Sequence, residues 1–100
     1  MLDKKLKEGF KNQKILPIFN TTDLNSDIKR LEIFLSNNPN FKNIEITLRE
    51  KNSFDIANEL KNKFSHINFG LGSILSEEDY IKGIDAGFIF FVSPGIVLDL

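Results

Sequence analysis

Residues 44–49 read Ile-Glu-Ile-Thr-Leu-Arg and alternate strictly between apolar and polar side chains. This alternation predicts a β-strand, because successive side chains of a strand point to opposite faces of a sheet. The polar face of the strand would carry Glu45, Thr47 and Arg49. If neighbouring elements cover both faces, Glu45 and Arg49 are ionisable groups inside the fold, where such groups mark functional sites more often than scaffolding.

Further strand-like segments lie at regular intervals on both sides of this stretch. Between them, apolar residues recur at helical spacing, as in the series Leu24, Ile28 and Leu31. A chain that alternates strands and helices in this way predicts parallel strands joined by right-handed crossovers. The predicted strands cover residues 14–19, 44–49, 67–74 and 88–92.

Several residues mark the expected ends of the helices. Ser53 is predicted to cap the second crossover helix, and Ser76 the third, whose acidic first turn suits a helix amino terminus. Gly87 is expected to end that third helix. A short amphipathic helix is predicted around residues 2–10, and residues 96–100 resemble the start of a further unit.

Two architectures accept four consecutive βα units. One is an open doubly wound sheet, with helices on both faces. The other is a (β/α)8 barrel, which needs about 250 residues, so that these units would form half of it. The polar row on the second strand favours the barrel, because there the interior face of a strand opens onto a ligand pocket at its carboxyl end. We therefore expect an α/β fold of the TIM-barrel type, as a half barrel of parallel strands.

Composition limits the classes of function. The chain has 100 residues with a net charge of −1, typical of one soluble globular domain over residues 1–100. It shows no signal peptide and no apolar run near the ~20 residues that span a membrane, so a cytoplasmic protein without a membrane partner is expected. Near-neutral charge argues against a nucleic-acid partner. Without cysteine or clustered histidine, neither a disulfide nor a metal site is expected.

Glu45 and Arg49 are the strongest candidates for chemistry. Their Cα atoms would lie roughly 13 Å apart along the strand, with Glu45 deep in the barrel and Arg49 at its mouth. A buried carboxylate has a raised pKa and can transfer protons near neutral pH, and a guanidinium fork binds a carboxylate or phosphate. The alternatives are a salt bridge between strands and a strand whose polar face meets solvent.

Two strand ends carry weaker signals. Gly70 and Gly72 lack the following helix start of a dinucleotide site, and they could either leave room for large neighbouring groups or mark a bulge. Ser73 then offers a hydroxyl at the carboxyl end of the third strand. Pro94, in the turn at residues 93–95, ends the fourth strand at the same edge. His66 precedes the third strand at the opposite edge and is interpreted as structural or solvated.

Taken together, four motifs resemble the amino-terminal half of the 2-dehydro-3-deoxy-phosphogluconate (KDPG/KHG) aldolases. They are KILPIF at 14–19, IEITLR at 44–49, GLGSIL-SEED at 70–79 and FFVSPG at 90–95, and the resemblance runs from about residue 14 to residue 98. It implies a (β/α)8 barrel, commonly a homotrimer. It also implies a class I aldolase of the Entner–Doudoroff pathway, which uses a Schiff-base lysine and no metal or other cofactor. Such enzymes cleave the phosphorylated keto acid to pyruvate and glyceraldehyde 3-phosphate.

The same resemblance implies roles for individual residues. Glu45 corresponds to the general acid/base, and Arg49 to the group that contacts the carboxylate of the pyruvate unit. Ser73 replaces the threonine usual in the GAGT motif, which keeps the hydroxyl and loses a methyl group. Pro94 matches the turn at the mouth of the barrel, and is expected to line the substrate site.

One part of the family pattern is missing. The Schiff-base lysine belongs to a later strand resembling FKFFPAE, and the phosphate loop comes later still, so the 100 residues alone are expected to be inactive. The contacts that would distinguish this substrate from 4-hydroxy-2-oxoglutarate or the galactonate analogue belong to the missing half, so these two also fit the sequence as substrates. The alternative is a non-catalytic open-sheet module that binds an anion or a protein. A half barrel would expose strand edges, so an oligomeric or poorly soluble polypeptide is expected.

Overall fold

Strands and helices alternate along the part of the chain that the structure, a computed structural model, describes: residues 15–74, 76–93 and 96–98. No helix within these ranges is long and apolar enough to cross a bilayer. The helix expected around residues 2–10 lies outside them. The elements are β1 (Ile18–Asn20), α1 (Leu24–Asn37), β2 (Asn43–Thr47), α2 (Ser53–Lys63), β3 (Asn68–Gly72), α3 (Glu77–Ala86), β4 (Phe90–Ser93) and β5 (Ile96–Leu98).

The strands form one open sheet in the order β1-β2-β3-β4-β5. Each of the first four runs parallel to its neighbour, as the sequence predicted. Because spatial order follows chain order and crossovers share one hand, consecutive helices are placed on the same side of the sheet. This is the topology of a barrel wall rather than of a doubly wound sheet.

Packing confirms that the described helices share one face of the sheet. Ile46, Leu71 and Phe91 from three neighbouring strands are fully buried in one apolar cluster. Helix α1 contributes Leu31 to that cluster, and α2 contributes Ala57 and Leu60. Helix α3 approaches through Gly83, where a Cβ atom would collide with Phe91 and Leu71. Four parallel strands with alternating helices on one side confirm half of a barrel and exclude the doubly wound alternative.

Strand β5 corrects one expectation. Residues 96–100 were expected to begin another βα unit, but Ile96–Leu98 pairs antiparallel with β4. Only two residues separate β4 from β5. A connection this short can only reverse the chain into a hairpin, whereas a parallel neighbour needs a crossover of about a dozen residues.

The helix ends follow the sequence signals with one exception. Ser76 caps α3 by accepting a hydrogen bond from the backbone of Asp79 at 3.1 Å, and Gly87 ends the helix with a φ of 93°. Ser53 is not the cap that was predicted. It is the first residue of α2, after Asn52, and its hydroxyl accepts hydrogen bonds from the backbone of Arg49 and Glu50 in the preceding loop.

Strand limits also differ from the prediction. Strand β2 ends at Thr47, so Arg49 lies in the loop that follows and not on the strand. Strand β1 begins at Ile18, and β3 covers only residues 68–72 of the predicted 67–74. These shifts leave the carboxyl ends of the four parallel strands, β1 to β4, at the same edge of the sheet.

Candidate active site

The carboxyl ends of the parallel strands form one row across the sheet. Pairing aligns Asn20 of β1 with Thr47, Thr47 with Gly72, and Gly72 with Val92 of β4. The loops that carry the candidate binding residues begin immediately beyond this row. In barrels of parallel strands this edge is where substrates bind.

Glu45 lies two residues before Thr47 on β2, and its side chain is on the sheet face opposite the helices. It aligns with Gly70 on the next strand, while Ile44 and Ile46 point into the helix-covered core. Only 5% of Glu45 is exposed, which excludes the alternative of a strand whose polar face meets solvent. The sequence therefore placed the carboxylate on the correct face.

Two glycines create the space for this arrangement. A Cβ atom at Gly72 would collide with the Glu45 carboxylate, and one at Gly70 would collide with the Phe90 ring. Neither glycine has a positive φ, and both pair in register, so they form no bulge. The glycines leave room for large side chains from the neighbouring strands.

The environment of Glu45 changes its acidity. Burial raises the pKa of the carboxyl group above its ordinary value of 4.5, and the hydrogen bond from Thr47 partly opposes that rise. In that bond Thr47 Oγ1 donates to Glu45 Oε2 at 3.3 Å. A carboxyl group with a raised pKa is suited to both give and take a proton near neutral pH.

Arg49 projects from the β2–α2 loop and is exposed. Its backbone N–H donates to Ser53 Oγ at 3.3 Å. Its guanidinium makes no ion pair with any described residue, so the predicted alternative of a salt bridge between strands is not formed within the described part of the chain. Arg30 differs, since it bonds to the Asp27 carboxylate and the Asn20 carbonyl, both at 2.7 Å, and lies over the Phe19 ring. Arg49 thus has no charged partner among the described residues, whereas Arg30 is held by contacts within the fold.

Ser73 follows β3 directly and is exposed at the carboxyl-terminal edge. Its φ is 60°, a left-handed conformation that few residues other than glycine adopt. A strained backbone conformation of this kind persists only where the surrounding structure enforces it, and such residues are concentrated at ligand sites. Pro94 lies outside the described residues.

Thr47, Thr21 and Ser53 are polar residues of this edge that sequence reasoning did not assign to the site. Thr47 belongs to the alternating polar row, which gave a signal for it. Thr21 and Ser53 form a hydroxyl–hydroxyl hydrogen bond of 3.0 Å between the loop after β1 and the first residue of α2. Such a contact links residues far apart in the chain, and no local pattern reports it.

Other candidate chemistry is sparse in the described chain. No group of His, Asp and Glu residues within it could hold a metal ion. His66 is exposed and contacts the Phe64 ring, at the amino end of β3. Lysines 29, 42, 51, 61, 63 and 82 lie on helices or in loops, none on a described strand.

Comparison with protein families identifies the fold's relatives. The family model described as "Aldolase: KDPG and KHG aldolase" matches residues 6–100. The chain belongs to this aldolase family. The match covers nearly all of its length and includes every predicted site residue, so the resemblance suggested by the strand-end motifs is confirmed.

Solved structures give the same result for the fold of this aldolase-family chain. It matches the crystal structure of 2-keto-3-deoxy-6-phospho-gluconate aldolase from Zymomonas mobilis ATCC 29191 with a TM-score of 0.73 and 24% sequence identity. The match covers 94% of this chain and 44% of the Zymomonas chain, so this sequence spans less than half of that protein. No curated protein matches the chain.

Proposed function

We propose that these 100 residues supply the proton-transfer and carboxylate-binding half of a class I aldolase site. The observation that carries the proposal is the buried Glu45 carboxyl group, held beside Gly72 at the carboxyl-terminal edge of a barrel-type sheet. Membership of the aldolase family supports the reaction type. The proposed reaction cleaves 2-dehydro-3-deoxy-6-phosphogluconate to pyruvate and glyceraldehyde 3-phosphate.

Glu45 would move protons at three points of this reaction. It protonates the leaving hydroxyl as the keto carbon condenses with a lysine to an imine. It then accepts the proton of the substrate hydroxyl as the carbon–carbon bond breaks, and finally delivers a proton to the enamine carbon, which becomes the methyl group of pyruvate. One carboxyl group can serve all three because each transfer leaves it in the protonation state that the next transfer needs, and burial, which raises its pKa, helps it to hold the proton between steps.

Arg49 and Ser73 would hold the keto acid during these steps. Both are exposed at the edge where β2 and β3 end. A guanidinium matches a carboxylate with two parallel hydrogen bonds, and the Ser73 hydroxyl offers a further donor. We also propose, from the family pattern, that Pro94 lines the pyruvate unit.

We propose that the Schiff-base lysine and the phosphate site come from a segment outside these 100 residues. None of the described lysines lies on a strand, and an imine requires a lysine within bonding distance of the keto carbon. The 44% coverage of the Zymomonas aldolase leaves room for such a segment. The 100-residue polypeptide alone is then expected to be inactive.

Trapping with borohydride tests the proposal in the complete natural polypeptide that contains this sequence. Incubation with pyruvate and sodium borohydride should fix one reduced pyruvate adduct on a lysine outside residues 1–100, detected by peptide mass spectrometry. Absence of an adduct, under conditions in which a known class I aldolase is labelled, would contradict the imine mechanism.

Glu45→Gln separates the role of the carboxyl group from that of the lysine. The enamine step also exchanges the methyl protons of pyruvate with solvent, which NMR follows in D2O. The variant should exchange these protons about 10²-fold more slowly, as expected on loss of a general acid/base. Trapping by borohydride, given time to reach equilibrium, should persist. Unchanged exchange would refute the role of Glu45.

A further inference from the structure

We propose that Ser53 is a positioning residue for Arg49, and that it couples the loop after β1 to the carboxylate-binding loop after β2. The inference rests on the proposed function, in which Arg49 binds the carboxylate of the keto acid. The connection runs through the side chain of Ser53 and the hydroxyl of Thr21.

The Ser53 hydroxyl is fully buried and joins two loops. Its Oγ accepts the backbone N–H of Arg49 at 3.3 Å and that of Glu50 at 3.0 Å. The same atom lies 3.0 Å from Thr21 Oγ1. Two consecutive backbone amides of the Arg49 loop are therefore held by one side chain at the start of α2.

Counting hydrogens gives the bond between the hydroxyls a direction. A serine hydroxyl has two acceptor positions and one hydrogen. The amides of Arg49 and Glu50 occupy both acceptor positions of Ser53, so its hydrogen is donated to Thr21 Oγ1. Thr21 acts as the acceptor, and the Ser53 hydroxyl has all of its hydrogen-bonding capacity in use.

The Arg49 backbone is consequently fixed from both sides. On its amino side, the N–H of Leu48 donates to the Gly72 carbonyl at 3.0 Å and ties the chain to β3. From Arg49 onward, Ser53 replaces the sheet as the acceptor. Without Ser53, the amide of Arg49 would lose its acceptor directly beyond the last sheet hydrogen bond.

The partner loop is itself rigidly held. Residue Thr22, next to Thr21, donates its backbone N–H to the Asp27 carboxylate at 2.9 Å and its hydroxyl at 2.7 Å. Asp27 is fully buried, and its carboxylate also accepts a hydrogen bond from the Arg30 guanidinium. The Thr21 hydroxyl is thus a fixed acceptor, and Ser53 transmits that rigidity to the Arg49 backbone.

Rigid placement matters because a guanidinium at the end of a long side chain loses rotamer freedom on binding, and a mobile backbone increases that loss. Removing the Ser53 hydroxyl should weaken binding of the keto acid while leaving chemistry at saturation unchanged. Glu45 bonds to Thr47 and contacts Gly72, and neither depends on Ser53.

The experiment uses the complete natural polypeptide and measures borohydride trapping against pyruvate concentration. Ser53→Ala should raise the half-saturating concentration about tenfold, within the range attributed to small misplacements of a binding group. The maximal extent of trapping should not change. Thr21→Val keeps the shape of the side chain and removes the hydroxyl, and it should cause part of this rise. Thr21→Ser keeps the hydroxyl, and its half-saturating concentration should equal that of the wild type.

The Arg49→Ala background decides between positioning and general stability. There, Ser53→Ala should add no further loss, because the group it positions is absent. A rise of equal size in both backgrounds, or no rise with Ser53→Ala and Thr21→Val although Arg49→Ala weakens binding, would overturn this inference alone. An unchanged half-saturating concentration in Arg49→Ala would refute the proposed role of Arg49 and this inference with it.

Discussion

The Glu45 carboxylate occupies the space that a side chain on Gly72, its neighbour on β3, would need. The placement of the candidate acid/base thus depends on the neighbouring strand having glycine at position 72, as much as on the position of Glu45 itself. The relationship explains why Gly72 lies inside a buried strand, where glycine otherwise weakens pairing. It also allows the position of the carboxylate to be changed without changing its chemistry.

Gly72→Ala should displace the Glu45 carboxylate. We expect the folded variant to exchange the methyl protons of pyruvate about 10²-fold more slowly, close to the effect expected for Glu45→Gln. Overpacking should also lower the free energy of unfolding by about 1–3 kcal/mol. The measurements are NMR exchange in the complete polypeptide and urea unfolding.

Gly70→Ala is the matched control for this prediction. Its Cβ atom would collide with the Phe90 ring and with no atom of Glu45 among its nearest contacts. It should destabilise the fold in a similar way while exchange, scaled to the folded fraction, stays much closer to wild type. Equal exchange in both variants would contradict the link between Gly72 and the carboxylate.

The raised pKa of Glu45 predicts how stability depends on pH. Because burial raises the pKa above 4.5, the folded state keeps the proton to higher pH than the unfolded state. The contribution of Glu45 to stability therefore falls as pH rises through the interval between the two pKa values. Urea unfolding of wild type and Glu45→Gln from acid to neutral pH should show the wild type losing stability relative to the variant. A difference independent of pH would contradict this prediction.

Asp27 should hold the loop between β1 and α1 in place. Asp27→Asn removes the charge that accepts from Thr22 and Arg30, and hydrogen bonds to charged groups contribute about 1.5–3 kcal/mol. We expect a loss of that order in the free energy of unfolding. Asp23→Asn is the control, because asparagine caps a helix as well as aspartate does. Equal effects of the two substitutions would argue against a special role for Asp27.

The exposed edge of the sheet predicts self-association of the 100-residue polypeptide. Strand β1 is an edge strand of the described sheet, and 61% of Ile18 is exposed on the Glu45 face. Unpaired edges with apolar side chains promote association. The polypeptide should sediment as an oligomer, and Ile18→Lys should shift it toward smaller species. Ile33→Lys, at a residue 62% exposed on α1, should not. A stable wild-type monomer would refute the prediction.

Local sequence patterns were sufficient for the repeated elements and for the side of the sheet on which Glu45 lies. Alternation in residues 44–49 reports which side chains share a face, because the period of a strand is two. The limit of β2 was misjudged, since Leu48 and Arg49 continue the alternation after the ladder has ended at Thr47. Pattern records side-chain polarity, whereas a strand ends where its backbone pairing ends.

Contacts between segments that are distant in the chain could not be predicted from the sequence. Ser53 carries the local signature of a helix cap, yet its hydroxyl binds the backbone of the preceding loop and Thr21 of another loop. The sequence of strand β5 resembles the start of another βα unit, and only its pairing with β4 shows that it runs antiparallel. In both cases the outcome depends on which segments the fold brings within hydrogen-bonding distance.

The sequence by itself determined the alternating elements, the family and the face that carries Glu45, because periodicity and motif spacing are local properties. Only the tertiary structure decided that Gly72 makes room for the Glu45 carboxylate and that Ser53 holds the Arg49 loop. Both relationships join atoms on different elements. Their energies arise from steric exclusion and hydrogen bonding in space, which the order of residues along the chain does not record.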